Sequence, residues 1–165
     1  MFIIFFDKPF VVGDFINIGG EYGVVEKIGF RSTRIRTLEK SYLTLPNKSL
    51  INDKLDNLTL RTFRRAKFYV GLTYDTNGEQ ITAIVGDIQS LLDGHPKTNE
   101  DGLVRFEEFG DSSLNIMVLM YVDTTDYSEF MAVREEVNLK IMEIVKKHGS
   151  DFAFPSTTVY LQKEN

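Results

Sequence analysis

Few side chains in this 165-residue sequence have the types and spacing that catalysis requires. The two histidines, His95 and His148, stand far apart, and neither has a second histidine or a cysteine nearby to complete a metal site. The absence of cysteine excludes disulfides, cysteine-based zinc sites and cysteine nucleophiles. Glu107 and Glu108 are adjacent in a predicted strand, so we expect their side chains on opposite faces of a sheet, unable to act on one substrate atom. The sequence therefore predicts no catalytic residues, no metal site and no cofactor.

Charge divides the sequence into three parts. The net charge of −5 combines +1 over residues 1–60, +4 over the basic run 61–68 (RTFRRAKF) and −10 over residues 69–165. A protein that binds nucleic acid usually presents a broad basic surface, because the contacted phosphates need positive partners. The acidic part therefore argues against nucleic acid as the main partner. The basic run is either a solvated junction between two domains or a ligand-binding segment.

The elements that would position these residues begin with a series of short strands. We predict five, over residues 14–18, 22–30, 33–37, 42–45 and 54–60, because these stretches are rich in strand-forming residues and are separated by glycine. Five short strands within about 50 residues predict a small Sm-like (SH3-like) β-barrel. The Pro-Asn-Lys-Ser stretch at 46–49 is predicted to be a turn in which asparagine hydrogen-bonds its own backbone.

The remaining sequence has the order β-α-β-β-α-β. The predicted elements are a strand at 67–75, a helix opened by a capping box from Thr76 to Glu79, a hairpin of strands 103–110 and 113–122, a helix from Asp126 to Gly149 and a strand at 156–162. Ile84 and Ile88 lie at the centre of the apolar stripe of the first helix. This order predicts a ferredoxin-like α+β domain.

Several motifs, in this order, resemble the small-conductance mechanosensitive channel (MscS-like) family. They are Lys8-Pro9-Phe10 with Gly13-Asp14 and Ile16, then Gly23 and Val25, then Ile28 to Thr37 including Arg36, then Leu45-Pro46-Asn47-Lys48 with Leu50-Ile51. The resemblance extends from Phe5 to Gln162 and is most specific across residues 9–51. It implies that Pro9, Phe10, Gly13, Asp14, Gly23, Arg36, Pro46 and Asn47 are structural or ring-interface residues.

The resemblance also implies a domain division and a function. Residues 1–8 would be the end of a pore-lining helix, 9–62 the Sm-like β domain and 63–165 the ferredoxin-like C-terminal domain. Such a chain would be the cytoplasmic vestibule of a homo-oligomeric channel, typically of seven subunits, that releases ions and small osmolytes under membrane tension. Arg61, Arg64, Arg65 and Lys67 would then be candidates to line the side openings of the vestibule.

The resemblance further places the full-length protein in the inner membrane, with this part facing the cytoplasm. The sequence has no stretch of roughly 20 apolar residues that could span a bilayer. We therefore expect this chain to be soluble by itself and to be attached to the membrane through upstream helices. Two alternatives stay open: a ring-forming Sm-like module whose basic run binds nucleic acid, and an enzyme on the ferredoxin-like module.

Overall fold

The computed structural model of this chain describes residues 9–155, apart from the side chain of Ile51. These residues form two compact units, with the boundary between Arg61 and Thr62. The predicted end of a pore-lining helix, 1–8, and the predicted last strand, 156–162, lie outside the described residues.

The first unit is built on a five-stranded antiparallel sheet of order β4-β3-β2-β1-β5. Its elements are β1 (Phe15–Ile18), β2 (Glu21–Ile28), β3 (Ser32–Thr37), β4 (Tyr42–Pro46), α1 (Asn47–Asn52), β5 (Leu55–Asn57) and the one-turn 3-10 helix η1 (Leu58–Leu60). Alternation along the strands directs Ile16, Ile18, Val25 and Ile35 into one core, where they are buried with Phe10 and Leu50.

Two stretches of this unit differ from the prediction. Residues 47–52 form a short helix, where a plain turn was predicted. The predicted strand 54–60 ends as a strand at Asn57, because the Asn57 side chain accepts a hydrogen bond from the Thr59 N–H at 3.1 Å and so begins η1. Local side-chain hydrogen bonding of this kind competes with strand pairing.

The second unit has the order β-α-β-β-α within the described residues. Its elements are β6 (Arg64–Leu72), α2 (Gly78–Gly94), β7 (Leu103–Phe109), β8 (Leu114–Val122) and α3 (Tyr127–Lys147). The antiparallel sheet has the order β6-β8-β7. Both helices contribute to a single core with the sheet, which includes the fully buried Ile84 and Ile88 of α2 and Val137 of α3.

The capping box of α2 lies one residue later than predicted. Asn77 is the N-cap and accepts from the Gln80 N–H at 2.9 Å, while Gln80 Oε1 accepts from the Asn77 N–H at 2.9 Å. Thr76 is unsuitable as the cap because it is buried and its hydroxyl is hydrogen-bonded to Ser150 at 2.7 Å.

The predicted separation of Glu107 and Glu108 onto opposite faces of the sheet is wrong. Pairing with β8 passes from Phe106–Ile116 directly to Glu108–Asn115, so Glu107 is the extra residue of a β-bulge. Glu107 Oε1 lies 3.8 Å from Lys67 Nζ, and Glu108 Oε1 accepts from Asn115 Nδ2 at 3.1 Å. Lys67 and Asn115 alternate with core residues, so both carboxylates lie on the face away from the helices.

Candidate functional site

The motif around Asp14 fixes the chain just before β1. Asp14 is 9 % exposed, and its Oδ2 accepts from the Val11 N–H at 2.9 Å and from Asn57 Nδ2 at 2.8 Å. Gly13 has a φ of +101°, in the region that favours glycine, and its N–H donates to the Val25 carbonyl at 2.8 Å. The motif therefore shapes the backbone and holds it against the sheet.

The two preceding motif residues begin this segment. Phe10 is 2 % exposed and belongs to the core of the first unit, whereas Pro9 is exposed. The Pro9 carbonyl accepts from Asn57 Nδ2 at 3.2 Å. Pro9 and Asp14 are thus brought together by the same amide.

The Pro46-Asn47 motif has a different role from the predicted one. Asn47 Nδ2 donates to the carbonyls of Gly29 at 2.8 Å and Phe30 at 3.2 Å, and its Oδ1 accepts from Thr33 Oγ1 at 2.9 Å. The expectation that asparagine bonds its own turn is therefore wrong. Its buried amide joins α1 to the loop between β2 and β3, directly after Pro46 ends β4.

Gly23 and Arg36 lie close together on neighbouring strands. A Cβ at Gly23 would lie 2.5 Å from the Arg36 carbonyl oxygen and would collide with the Ile35 side chain, so only glycine fits. The Arg36 guanidinium bonds Glu26 and the Tyr42 hydroxyl, donates to the Lys40 carbonyl at 2.9 Å, and lies 4.2 Å from the Tyr42 ring centroid. The hydrogen bond to Glu26 raises the pKa of Arg36 above its usual value.

The basic run does not form one cluster. Arg64 lies on the helix side of β6, where its Nε donates to the Thr125 carbonyl at 3.0 Å and its guanidinium lies 5.4 Å from the Tyr127 ring centroid. Arg65 and Lys67 point to the opposite face because successive strand residues alternate. Arg61 is the last residue of the first unit.

Lys67 has two neighbours on that face. Its Nζ lies 3.8 Å from Glu107 Oε1 and 5.4 Å from the Tyr69 ring centroid. The hydrogen bond to Tyr69 is the largest cause that raises the pKa of Lys67, and the negative charge of Glu107 is the second. Lys67 therefore stays positively charged at neutral pH.

Each histidine connects the end of one helix to the other helix: His95 follows α2 and faces α3, and His148 follows α3 and faces α2. His95 is buried, accepts from the Lys97 N–H on Nδ1 at 3.1 Å, and places Nε2 3.4 Å from Glu136 Oε2. His148 Nε2 lies 2.9 Å from Asp87 Oδ2. Among residues 9–155, no group of three histidine, aspartate or glutamate side chains is arranged to hold a metal ion.

A pocket of about 650 Å³ opens between α2 and β7. Its lining is mainly apolar and includes Ile81, Val85, Phe106 and Phe109. Tyr74 and Arg105 are its titratable residues, and no carboxylate or histidine lines it. This pocket therefore lacks a histidine or carboxylate, the side chains that general acid–base catalysis uses most often.

Two family models match the chain in order along its length. One, described as "Mechanosensitive ion channel, beta-domain", matches residues 1–60, and the other, "Mechanosensitive ion channel MscS, C-terminal", matches residues 66–152. The chain belongs to the MscS family of mechanosensitive ion channels. The predicted family resemblance is confirmed.

Relatives in this family are similar over nearly the whole chain. An uncharacterized MscS family protein of Aquifex aeolicus is 48 % identical over 98 % of this chain, and the small-conductance mechanosensitive channel MscMJ of Methanocaldococcus jannaschii is 41 % identical over 99 %. The low conductance mechanosensitive channel YnaI of Escherichia coli is 38 % identical over 96 % of this chain. The chain spans only 44 %, 47 % and 47 % of these three relatives.

Two solved structures share the fold of this chain. Arabidopsis thaliana MSL1 matches with a TM-score of 0.86 at 22 % identity, over 94 % of this chain and 56 % of that one. Helicobacter pylori MscS in a closed state matches with a TM-score of 0.81 at 24 % identity, over 98 % and 63 %. The predicted pairing of a β domain with a ferredoxin-like C-terminal domain is therefore confirmed. No helix within residues 9–155 is long and apolar enough to cross a bilayer.

Sequence reasoning missed three side chains with structural roles. Asn57 and Thr59 were assigned to a strand, yet Asn57 bonds Asp14 and the Thr59 hydroxyl oxygen accepts from the Phe15 N–H at 2.7 Å. Gln89 of α2 pairs with the outer edge of β7: its Oε1 accepts from the Val104 N–H at 3.0 Å and its Nε2 donates to the Gly102 carbonyl at 3.1 Å. The Asn-x-Thr spacing is the available signal for the first two, because asparagine often bonds the backbone two residues later.

Proposed function

We propose that this chain is the cytoplasmic vestibule region of a mechanosensitive channel that releases ions and small osmolytes when membrane tension rises. The observation that carries the proposal is the match of both family models, in order, over most of the chain. Relatives named as mechanosensitive channels align with 96–99 % of it. On this proposal, the membrane-spanning helices correspond to parts of the relatives that this chain does not match. The full-length protein would then lie in the inner membrane.

The proposed assembly is a homo-oligomeric ring, with seven subunits as the expected number. The proposal draws on the large apolar side chains that are exposed on the first unit, which a neighbouring subunit would cover. They are Val11, Val12, Tyr22, Val24, Phe30, Leu38, Tyr42 and Leu60. Within residues 9–155, the terminal strands β4 and β5 also have one unpaired edge each in the sheet order, which a neighbouring subunit could cover.

Within such a ring, we propose that Arg65 and Lys67 line side openings of the vestibule. Both are exposed and share one face of β6. We exclude Arg64 from this role because its guanidinium contacts Tyr127 and Phe130 on the opposite face of β6. Arg61 remains a candidate by its position beside the boundary of the two units.

The nucleic-acid alternative is not favoured. Its main support was the basic run, which β6 divides between two faces of the sheet. Residues 69–165 carry a net charge of −10, which repels phosphate. A ring-forming channel domain accounts for the family match without a nucleic acid.

The test is a chimera in which this chain replaces the aligned half of MscMJ. The chimera is reconstituted in liposomes, and currents are recorded from patches under graded suction, with MscMJ and empty liposomes as controls. We expect currents that open with tension and a ring-sized mass by native mass spectrometry. An inserted, ring-sized chimera that never opens at tensions that open MscMJ would refute the proposal.

A further inference from the structure

A network of side-chain hydrogen bonds joins the two ends of the first unit. We call it the Asp14 network: the side chains of Asp14, Asn57 and Thr59 with their backbone partners Pro9, Val11 and Phe15. Asn57 Nδ2 donates to Asp14 Oδ2 at 2.8 Å and to the Pro9 carbonyl at 3.2 Å. Thr59 Oγ1 accepts from the Phe15 N–H at 2.7 Å. Residues 9–15 are thereby bonded to residues 57–59, which are 43 to 48 positions away in sequence.

The hydrogen-bonding groups of the central amide are fully used. Both Nδ2 hydrogens of Asn57 have acceptors, and its Oδ1 accepts from the Thr59 N–H at 3.1 Å. A side-chain amide has two donor hydrogens and one carbonyl oxygen, so little of its capacity is left for water. Asp14 accepts its hydrogen bonds through a carboxylate, and hydrogen bonds to a charged acceptor are stronger than those between two neutral groups.

The network lies outside the regular sheet pairing. The backbone ladder between β1 and β5 covers only Ile16–Asn57, Asn17–Asp56 and Ile18–Leu55. The bond from the Phe15 N–H to Thr59 lies one residue before this ladder. The bond between Asn57 and Asp14 holds the segment that precedes β1. Removing the network should therefore loosen residues 9–15 from residues 57–59 while the sheet itself persists.

We propose that the Asp14 network is the mechanical connection that passes movement of residues 9–15 directly to the segment leading into the second unit, and so helps to set the tension at which the channel opens. This role rests on the proposed function. Residues 57–61 precede the boundary at Arg61 and Thr62, so a displacement carried by the network reaches the second unit through a few residues. Without it, the same displacement reaches β5 through the backbone ladder of β1, which begins at Ile16–Asn57.

Two matched substitutions separate this role from general stabilisation. Thr59→Val removes the acceptor of the Phe15 N–H and keeps the shape of the side chain. Thr33→Val makes the same chemical change at a fully buried position of the same unit, where the hydroxyl donates to Asn47 at 2.9 Å. Because Thr33 is 0 % exposed and Thr59 is exposed, the control should destabilise the chain at least as much as the test variant.

The first measurement is amide hydrogen exchange of the parent chain and both variants. In Thr59→Val we expect exchange at Phe15 to rise about five- to tenfold, the equivalent of one lost hydrogen bond, with little change at Val25 in the core. In Thr33→Val the Phe15 amide should exchange as in the parent. Unchanged Phe15 exchange in Thr59→Val would show that the bond does not hold this segment.

The second measurement is the midpoint tension of the MscMJ chimera. We expect Thr59→Val, and more strongly Asn57→Ala, to lower the midpoint, and Thr33→Val to leave it unchanged. Equal shifts in the test and control variants, or no shift in Thr59→Val despite faster Phe15 exchange, overturn the proposed connection alone. A parent chimera without tension-activated current instead refutes the proposed function, and this role with it.

Discussion

At the scale of single residues, the buried amide of Asn47 makes three hydrogen bonds to other parts of the first unit. Replacing it with alanine removes the donors to the Gly29 and Phe30 carbonyls and leaves the buried Thr33 hydroxyl without its acceptor. We expect Asn47→Ala to lower the free energy of unfolding by about 1–3 kcal/mol, the cost of leaving buried polar groups unsatisfied. Urea unfolding of the chain measures it.

A matched control is available on the same helix. Asn52→Ala changes an exposed asparagine at the end of α1, so it should alter the unfolding midpoint only slightly. Equal losses in Asn47→Ala and Asn52→Ala would mean that the buried contacts of Asn47 do not decide the cost.

At the scale of elements, the apolar stripe of α2 anchors the second unit. Ile88 is 0 % exposed and packs in the core between the sheet and both helices. Ile88→Ala should lower the free energy of unfolding by about 2–5 kcal/mol, through lost burial and the cavity that remains. Thermal and urea unfolding of the variant are compared with Ser90→Ala, an exposed position two residues later. A melt of Ile88→Ala that overlays the parent would contradict the buried stripe.

The stripe of α2 was predictable because it depends on local spacing alone. Ile84 and Ile88 repeat with the helical period, and any helix over these residues must direct both to one side. The cap was displaced by one residue because the Thr76 hydroxyl is used by Ser150, 74 positions away, which spacing cannot reveal. The prediction of opposite faces for Glu107 and Glu108 was wrong for a related reason. A bulge of one residue shifts the alternation of side chains between the two faces of the sheet for every later position in the strand.

The candidate site was predictable to a similar degree. The motifs drew attention to Asp14 and Asn47, but the amide that bonds Asp14 and the carbonyls that bond Asn47 lie far along the chain. Asn57 was overlooked because its neighbours Leu55 and Leu58 suggested a continuous strand. Its role depends on the proximity of residues 9–14, which only the folded sheet creates.

At the scale of the whole molecule, the exposed basic residues of β6 should influence which ions pass. Arg65→Glu in the chimera replaces a positive charge with a negative one at the proposed side openings. At about 0.1 M salt, where charges act over about 10 Å, we expect the reversal potential to shift toward cation preference; at about 1 M the range falls to about 3 Å and the shift should vanish. Patch recordings across a KCl gradient measure it.

The control for this prediction is Lys146→Glu at the end of α3, which makes the same change of charge elsewhere in the second unit. It should leave the reversal potential near that of the parent. Matching shifts in the two variants would indicate an effect of total charge, and no shift in Arg65→Glu with an intact ring would place this residue away from the ion path.

The pairing of Gln89 with the outer edge of β7 bears on how the protein behaves when many copies are crowded together. An exposed strand edge with unpaired N–H and C=O groups is a template for another chain, and such pairing leads to aggregation. The Gln89 amide occupies the groups of Val104 and Gly102 at one end of this edge. Farther along, the bulge at Glu107 breaks the regular spacing that an incoming strand would need. Solubility of the second unit thus depends in part on one helix side chain and one extra strand residue.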